Sequence, residues 1–281
     1  MDIILTYIGS KKRFFPIIKD LIPTHDTYIE PFAGGFSLGL ELIDKGYVKQ
    51  GVLNDLDENV YNFWSQVKNQ PLVLACALDH IHYRLLELET EDDLTDFNIN
   101  YLLPKEGDDE VTRAAKFRMQ KQYNRGSSSM KLTQARLADL RKRNHGADYL
   151  KITSNLMQAS SYLQDFDVTN KSYEDLKNYD SPSSFWYFDP PYDGAKNNNY
   201  YKVCDIEDTF NQVQLRDFIK SLEGSFIKSN FATPNIIDLY EGYHCHEILV
   251  PSRLSSGFSK EILITNLDKE FPDKNHFYNR Y

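Results

Sequence analysis

The residues with the clearest chemical potential are Phe185-Trp186-Tyr187-Phe188-Asp189-Pro190-Pro191-Tyr192. Four aromatics end in a carboxylate, and two prolines then remove backbone N–H donors and stiffen the turn. What remains is a pair of acceptors, the Asp189 carboxylate and the Pro190 carbonyl. Two acceptors side by side suit an amino group with two N–H donors. Tyr192 stands next to them, and a planar base stacked on such a ring gains about 1–3 kcal/mol. A Pro-Pro turn with a purely structural role satisfies the same residues, but an aromatic run ending in Asp-Pro-Pro-Tyr is much rarer by chance.

A second group is Tyr28-Ile29-Glu30-Pro31-Phe32-Ala33-Gly34-Gly35. Glycines after a first strand let a ligand approach the backbone, and open α/β sheets bind ligands at the carboxyl ends of their strands. Neither the dinucleotide fingerprint GxGxxG nor the phosphate loop GxxxxGK[ST] is present. Glu30 before the turn would repel a pyrophosphate but suits a cationic ligand. S-adenosylmethionine fits, being cationic at its ammonium and sulfonium and free of phosphate. A tight strand-to-helix turn without a ligand is the alternative. Asn54-Asp55 follows some twenty residues later, where a carboxylate can accept from two ribose hydroxyls. Asp57 and Glu58 read as helix N-terminal acids favoured by the helix dipole. His244 and His246 share a strand face with no third ligand nearby, so no metal site is expected.

These groups need strands to hold them. Apolar periodicity predicts helices over 10–21, 36–45, 57–69, 149–163, 212–222 and 235–240, and strands over 27–32, 51–54, 166–168, 184–188 and 225–229. Two further strands, 244–250 and 261–265, are joined by residues 251–260 and predict an antiparallel hairpin at the sheet edge. The alternation predicts an α/β fold with a doubly wound, mostly parallel sheet. Residues 71–146 break it with a mainly helical, highly charged stretch containing a polar turn at 123–129. The expected organisation is therefore a catalytic domain from 1–70 and 147–281, with 71–146 inserted as a second domain.

The 281 residues carry a net charge of −9, which argues against wholesale coating of nucleic acid. The average conceals a partition. Residues 87–110 hold ten acidic side chains and one lysine, whereas 113–143 hold ten basic ones and one aspartate. A local basic block can attract phosphates whatever the overall sign, because physiological salt screens each charge beyond about 8 Å. A solvated helix beside an acidic neighbour is the plainer reading of the same block. The cysteines Cys76, Cys204 and Cys245 form no CxxC pair, which excludes a disulfide scaffold and suits a reducing cytosol. No run approaches the ~20 apolar residues of a membrane span. The N-terminal residues lack the features of a signal peptide. A globular cytoplasmic protein is expected.

Taken together these motifs resemble the Dam-like, D12 class of DNA adenine-N6 methyltransferases, which use S-adenosylmethionine on a class I methyltransferase fold. The resemblance spans most of the chain and includes Thr6-Tyr7-Ile8-Gly9-Ser10-Lys11, residues 225–230 and residues 255–266. It implies Asp189, Pro190 and Tyr192 as catalytic residues. It implies a cofactor site drawn from Tyr7, Lys11, Glu30, Phe32, Gly34, Asp55, Ser172, Tyr173 and Asp189. It also makes the insert a target-recognition domain, with Arg118, Lys121, Asn124, Arg125 and Lys131 as DNA-binding residues. The chain departs from the family at the recognition hairpin, where only Tyr123-Asn124-Arg125 and the following serines match, and at Tyr7, where relatives often have tryptophan. The implied partner is double-stranded DNA, with a cognate restriction endonuclease as a companion and a monomer or weak dimer as the working state. Methylation of RNA adenine or of a protein glutamine amide, and a silent DNA-binding regulator, are the rival readings. The glutamine enzymes favour asparagine where this chain has Asp189.

Overall fold

Short runs whose residues are apolar on both faces form strands buried on both sides, the pattern of a parallel sheet covered by helices. The computed structural model describes residues 4–7, 9–123, 131–142, 146–194, 210–251 and 258–268. Its strands are β1 (Thr27–Glu30), β2 (Gly51–Asn54), β3 (Phe166–Thr169), β4 (Ser184–Phe188), β5 (Ser225–Phe231), β6 (His244–Pro251) and β7 (Phe258–Thr265). They make one sheet in the order β3-β2-β1-β4-β5-β7-β6. The first five are parallel, whereas β7 runs antiparallel to β5 and to β6. The α/β expectation and the edge hairpin are both met. The hairpin strands are longer than periodicity suggested, and β7 rather than β6 lies against β5.

The strand order reverses between β1 and β4, which neighbour one another while their continuations run in opposite directions across the sheet. Ligands of open α/β sheets bind in the crevice at such a switch point. Side chains alternate across the sheet there. Tyr28, Phe185 and Tyr187 enter one core, and Ile29, Trp186 and Phe188 enter the other. Trp186 and Phe188 stack in parallel with centroids 5.5 Å apart.

The first core is covered by α1 (Phe15–Leu21), α2 (Ser37–Asp44), α3 (Glu58–Asn69) and α8 (Gly146–Leu163). The second is covered by α9 (Gln212–Lys220), α10 (Pro234–Leu239) and a 3-10 turn, Tyr173–Tyr179. Asp57 caps α3 by accepting from the Asn59 amide at 2.9 Å, as its position before Glu58 suggested. The segment after α3 holds α4 (Pro71–Leu86), α5 (Glu91–Phe97), α6 (Glu110–Tyr123) and α7 (Gln134–Lys142). Its apolar faces join the first core: Leu78 and Phe117 belong to the same buried cluster as Leu53 and Phe63. Among the described residues no helix is long and apolar enough to cross a membrane.

Candidate active site at the switch point

The turn after β1 is built by ties from its neighbours. Asn54 at the end of β2 donates to the carbonyls of Pro31 and Lys171, both at 3.0 Å. Its side-chain Oδ1 accepts from Thr169 Oγ1 and the Lys171 amide. The Trp64 indole of α3 donates to the Gly34 carbonyl at 2.9 Å. Gly34 has φ +46°, and a Cβ there would lie 2.9 Å from the Tyr7 ring. Glycine is thus required twice over, by backbone angle and by the ring packed on it. Phe36 is also left-handed, at φ +46°, and its ring fills the space beside Gly39. A non-glycine residue in that region costs of order 1–3 kcal/mol and persists only where surroundings fix it.

Asp55 begins the next turn. Its carboxylate accepts from the Gly34 amide at 2.8 Å and the Asp57 amide at 2.9 Å. Burial nevertheless pushes its pKa up to about 7. A carboxylate offers about four lone-pair positions, more than these backbone amides fill, so acceptor capacity is left for a ligand hydroxyl. Glu30 lies under the turn, where its carboxyl accepts from the Tyr28 hydroxyl at 2.6 Å. Burial pushes it well above the usual carboxylate range, against the pull of that hydrogen bond. Its charge toward a ligand is therefore smaller than its sequence position suggested. Phe32 faces Tyr173 and Phe210 with centroids 5.7 and 5.6 Å away, an aromatic corner beside these carboxyls. Ser172 turns instead to Glu174, donating at 2.9 Å.

Across the switch point, β4 ends at Asp189. Asp189 Oδ1 receives Lys11 Nζ at 2.9 Å and Ser229 Oγ at 2.8 Å. Oδ2 takes neither of these. Lys11 also donates to the Gly9 carbonyl at 2.7 Å and lies 4.7 Å from the Tyr192 ring centroid. The Pro191 carbonyl accepts from Gln212 at 2.7 Å, while the Pro190 carbonyl accepts no hydrogen bond among the described residues. The Tyr192 hydroxyl donates to Glu261 at 2.9 Å, and its ring meets Phe231 edge-on at 4.8 Å. Tyr7, Lys11, Glu30, Phe32, Gly34, Asp55, Tyr173, Asp189 and Tyr192 are thus arranged around one strand crossover.

The insert treats its basic residues differently. Arg118 is buried, donating to the Ile4 carbonyl at 3.0 Å and to Gln122 at 2.6 Å. Lys121 sits over the rings of Tyr7 and Phe117, 5.2 and 5.1 Å from their centroids. Lys131 is exposed. Asn124 and Arg125 lie outside the described residues. Sequence reasoning passed over Asn54, Ser229 and Glu261. Their signal was position: Asn54 adjoins Asp55, and the other two fall in the late-strand segments already singled out. It also passed over Lys228, which is buried with no hydrogen-bond partner among the described residues, 4.9 Å from the Tyr240 centroid.

A sheet of this order, with acidic residues closing β1 and following β2 and β4, defines a class I methyltransferase fold. The chain belongs to the D12 class N6 adenine-specific DNA methyltransferases, whose family model matches residues 7–252. It is 26% identical over 290 residues to the Type II methyltransferase M.MjaIII of Methanocaldococcus jannaschii, covering 93% of this chain and 98% of that protein. These likenesses support DNA methylation as the activity and imply S-adenosylmethionine as methyl donor. The residues present fit that cofactor. Asp55 has acceptor capacity to spare for a ribose hydroxyl, and Phe32 and Tyr173 are half-buried rings of the kind a purine packs on.

Proposed function

We propose that this protein methylates N6 of an adenine flipped out of duplex DNA. The observation that carries the reading is the Asp189 carboxylate at the end of β4, at the switch point between β1 and β4, with Oδ2 taking neither of the bonds made to Oδ1. S-adenosylmethionine would supply an electrophilic methyl on its sulfonium. Asp55 would hold the ribose, and Phe32 with Tyr173 the purine.

An exocyclic adenine amine is a weak nucleophile because its lone pair is delocalised into the ring. No side chain is basic enough to deprotonate it. Asp189 and the Pro190 carbonyl instead accept its two hydrogens and favour a pyramidal nitrogen. Those bonds strengthen as positive charge develops on nitrogen, so they stabilise the transition state more than the ground state. Holding nitrogen in line with the methyl supplies the proximity contribution. Such an atom is out of reach inside a duplex, so the base leaves the stack, and Tyr192 replaces the lost stacking. Lys11 occupies Asp189 Oδ1 and approaches the Tyr192 ring, so it must make room for the base or stay at its edge.

DNA contact falls to the insert through Lys121, Lys131 and, outside the described residues, Asn124 and Arg125. Arg118 is given no base-reading role in this proposal, because it is buried against the Ile4 carbonyl. Asp189→Ala is expected to lower labelled-methyl transfer to DNA on the order of 10³-fold. Cofactor titration should show binding retained. A variant with near-normal turnover would refute the assignment. Parallel assays on RNA and on glutamine peptides test the other acceptors, and sequencing methylated positions in host DNA identifies the target site.

A further inference from the structure

Glu261 is a buried acidic residue on the last strand but one of the sheet, and the proposed methyl transfer makes no use of it. It lies on β7, opposite Phe231 of β5. One carboxylate oxygen accepts from the Tyr192 hydroxyl at 2.9 Å, and the other accepts from the Arg13 guanidinium. Its side chain is 4% exposed, so both bonds lie in a shielded environment. Arg13 comes from the 3-10 turn Lys12–Phe14, directly after Lys11. A single N-terminal turn therefore places Lys11 against Asp189 and Arg13 against Glu261, the two sides of the Asp-Pro-Pro-Tyr turn.

We propose that Glu261, anchored by Arg13, is a positioning residue that fixes the plane of the Tyr192 ring on which the target base stacks. This inference rests on the proposed function. A tyrosine held only by its backbone would sample rotations of its ring relative to the reacting amine. The hydroxyl bond to Glu261 and the edge contact with Phe231 restrain two sides of that ring. Arg13 balances the charge of Glu261, so an ionised acceptor can be kept inside the sheet. The hydroxyl of Tyr192 then acts through ring orientation, without touching the substrate. A carboxylate acceptor is well matched to this, since charge-assisted bonds are shorter and more directional than neutral ones.

The test compares the wild-type chain, Tyr192→Phe, Glu261→Ala, Glu261→Gln and the double variant Tyr192→Phe/Glu261→Ala on duplex DNA carrying the mapped methylation site. Turnover, KM for DNA and cofactor affinity are measured, with fluorescence of 2-aminopurine at the target position reporting base stacking. Tyr192→Phe and Glu261→Ala should each lower turnover by roughly 10- to 100-fold, the worth of one bond to a charged group. The double variant should lose no more than the worse single one, because both remove the same bond. Cofactor affinity should not change. Glu261→Gln keeps an oxygen acceptor and should recover much of the turnover. The emission of the flipped analogue should change in Tyr192→Phe, a signature that loss of stability alone would not give.

Wild-type turnover in Tyr192→Phe overturns the inference, and so do additive losses in the double variant. Tyr192→Phe keeps the ring and the Arg13–Glu261 pair, so it decides the matter even where Glu261→Ala fails to fold. If the wild-type chain transfers no methyl to DNA, the proposed function itself fails. If it does and Tyr192→Phe is silent, only this inference falls.

Discussion

Charged side chains inside this molecule are held by different means in different regions. In the insert, charge meets charge. Lys116 donates to both carboxylate oxygens of Asp108, at 2.9 and 2.6 Å, and their side chains are only 4% and 11% exposed. Other acids of the negative stretch close helices: Asp93 completes a capping box with Thr90, and Asp109 accepts from the Thr112 amide. At the strand ends, carboxyls meet mostly neutral donors. Glu30 has Tyr28, Asp55 has two backbone amides, and Asp189 has Ser229 with a single lysine. Lys116 and Asp108 compensate one another, whereas at the end of β4 Asp189 Oδ2 takes neither of the bonds made to Oδ1.

The sharpest way to break that comparison is to remove one member of the insert pair. Lys116→Met leaves the half-buried Asp108 carboxylate with only the Lys105 amide as donor, and breaking a shielded pair in this way costs at most about 3–5 kcal/mol. Urea unfolding should show a loss of that order. Methyl transfer per folded molecule should stay near wild type, because the pair does no chemistry. A large activity loss without loss of stability would place Lys116 in the site and erase the distinction.

Asp55→Asn probes the other side with a smaller effect. Losing an ionic acceptor for the ribose is expected to weaken cofactor binding about tenfold, or ~1.4 kcal/mol. The wild-type carboxyl has its pKa raised to about 7, so in the free protein it takes up a proton as pH falls through 7, and cofactor affinity should decline there. For folding the sign is opposite. Between the ordinary carboxylate value and about 7, the folded chain holds a proton that the unfolded chain has lost. Stability from this group therefore falls as pH rises across that window. Both pH dependences should flatten in Asp55→Asn, as measured by calorimetric titration and by denaturation at several pH values.

The sheet was legible because its constraints are local and repetitive. Both faces of β4 are apolar, and the short apolar runs within 27–30 and 184–188, bounded by turn residues, left little choice of element. Asp189 and Asp55 could be placed because each follows such a run directly. Glu261 and Ser229 could not be given roles from sequence, since their partners Tyr192 and Asp189 lie 69 and 40 residues away. Only the antiparallel placement of β7 against β5 brings Glu261 to the site. Arg118 misled for the reciprocal reason. Its place in a basic run suggests an outward face, but helix geometry turns it onto the Ile4 carbonyl, 114 residues distant.

That contrast within the basic block gives the smallest effect and the finest test. Each phosphate contact releases counterions and adds close to one unit to the slope of log affinity against log salt. Lys131 is exposed, so Lys131→Ala should lower that slope by about one unit and weaken binding to all DNA sequences alike. Arg118→Ala removes a buried tie between α6 and the N-terminal segment. It should lower stability and leave the slope as it was. Binding isotherms at a series of salt concentrations, read beside unfolding curves, separate the two. A flattened slope in Arg118→Ala would mean that the guanidinium leaves Ile4 and reaches DNA in the complex, and that the insert rearranges on binding.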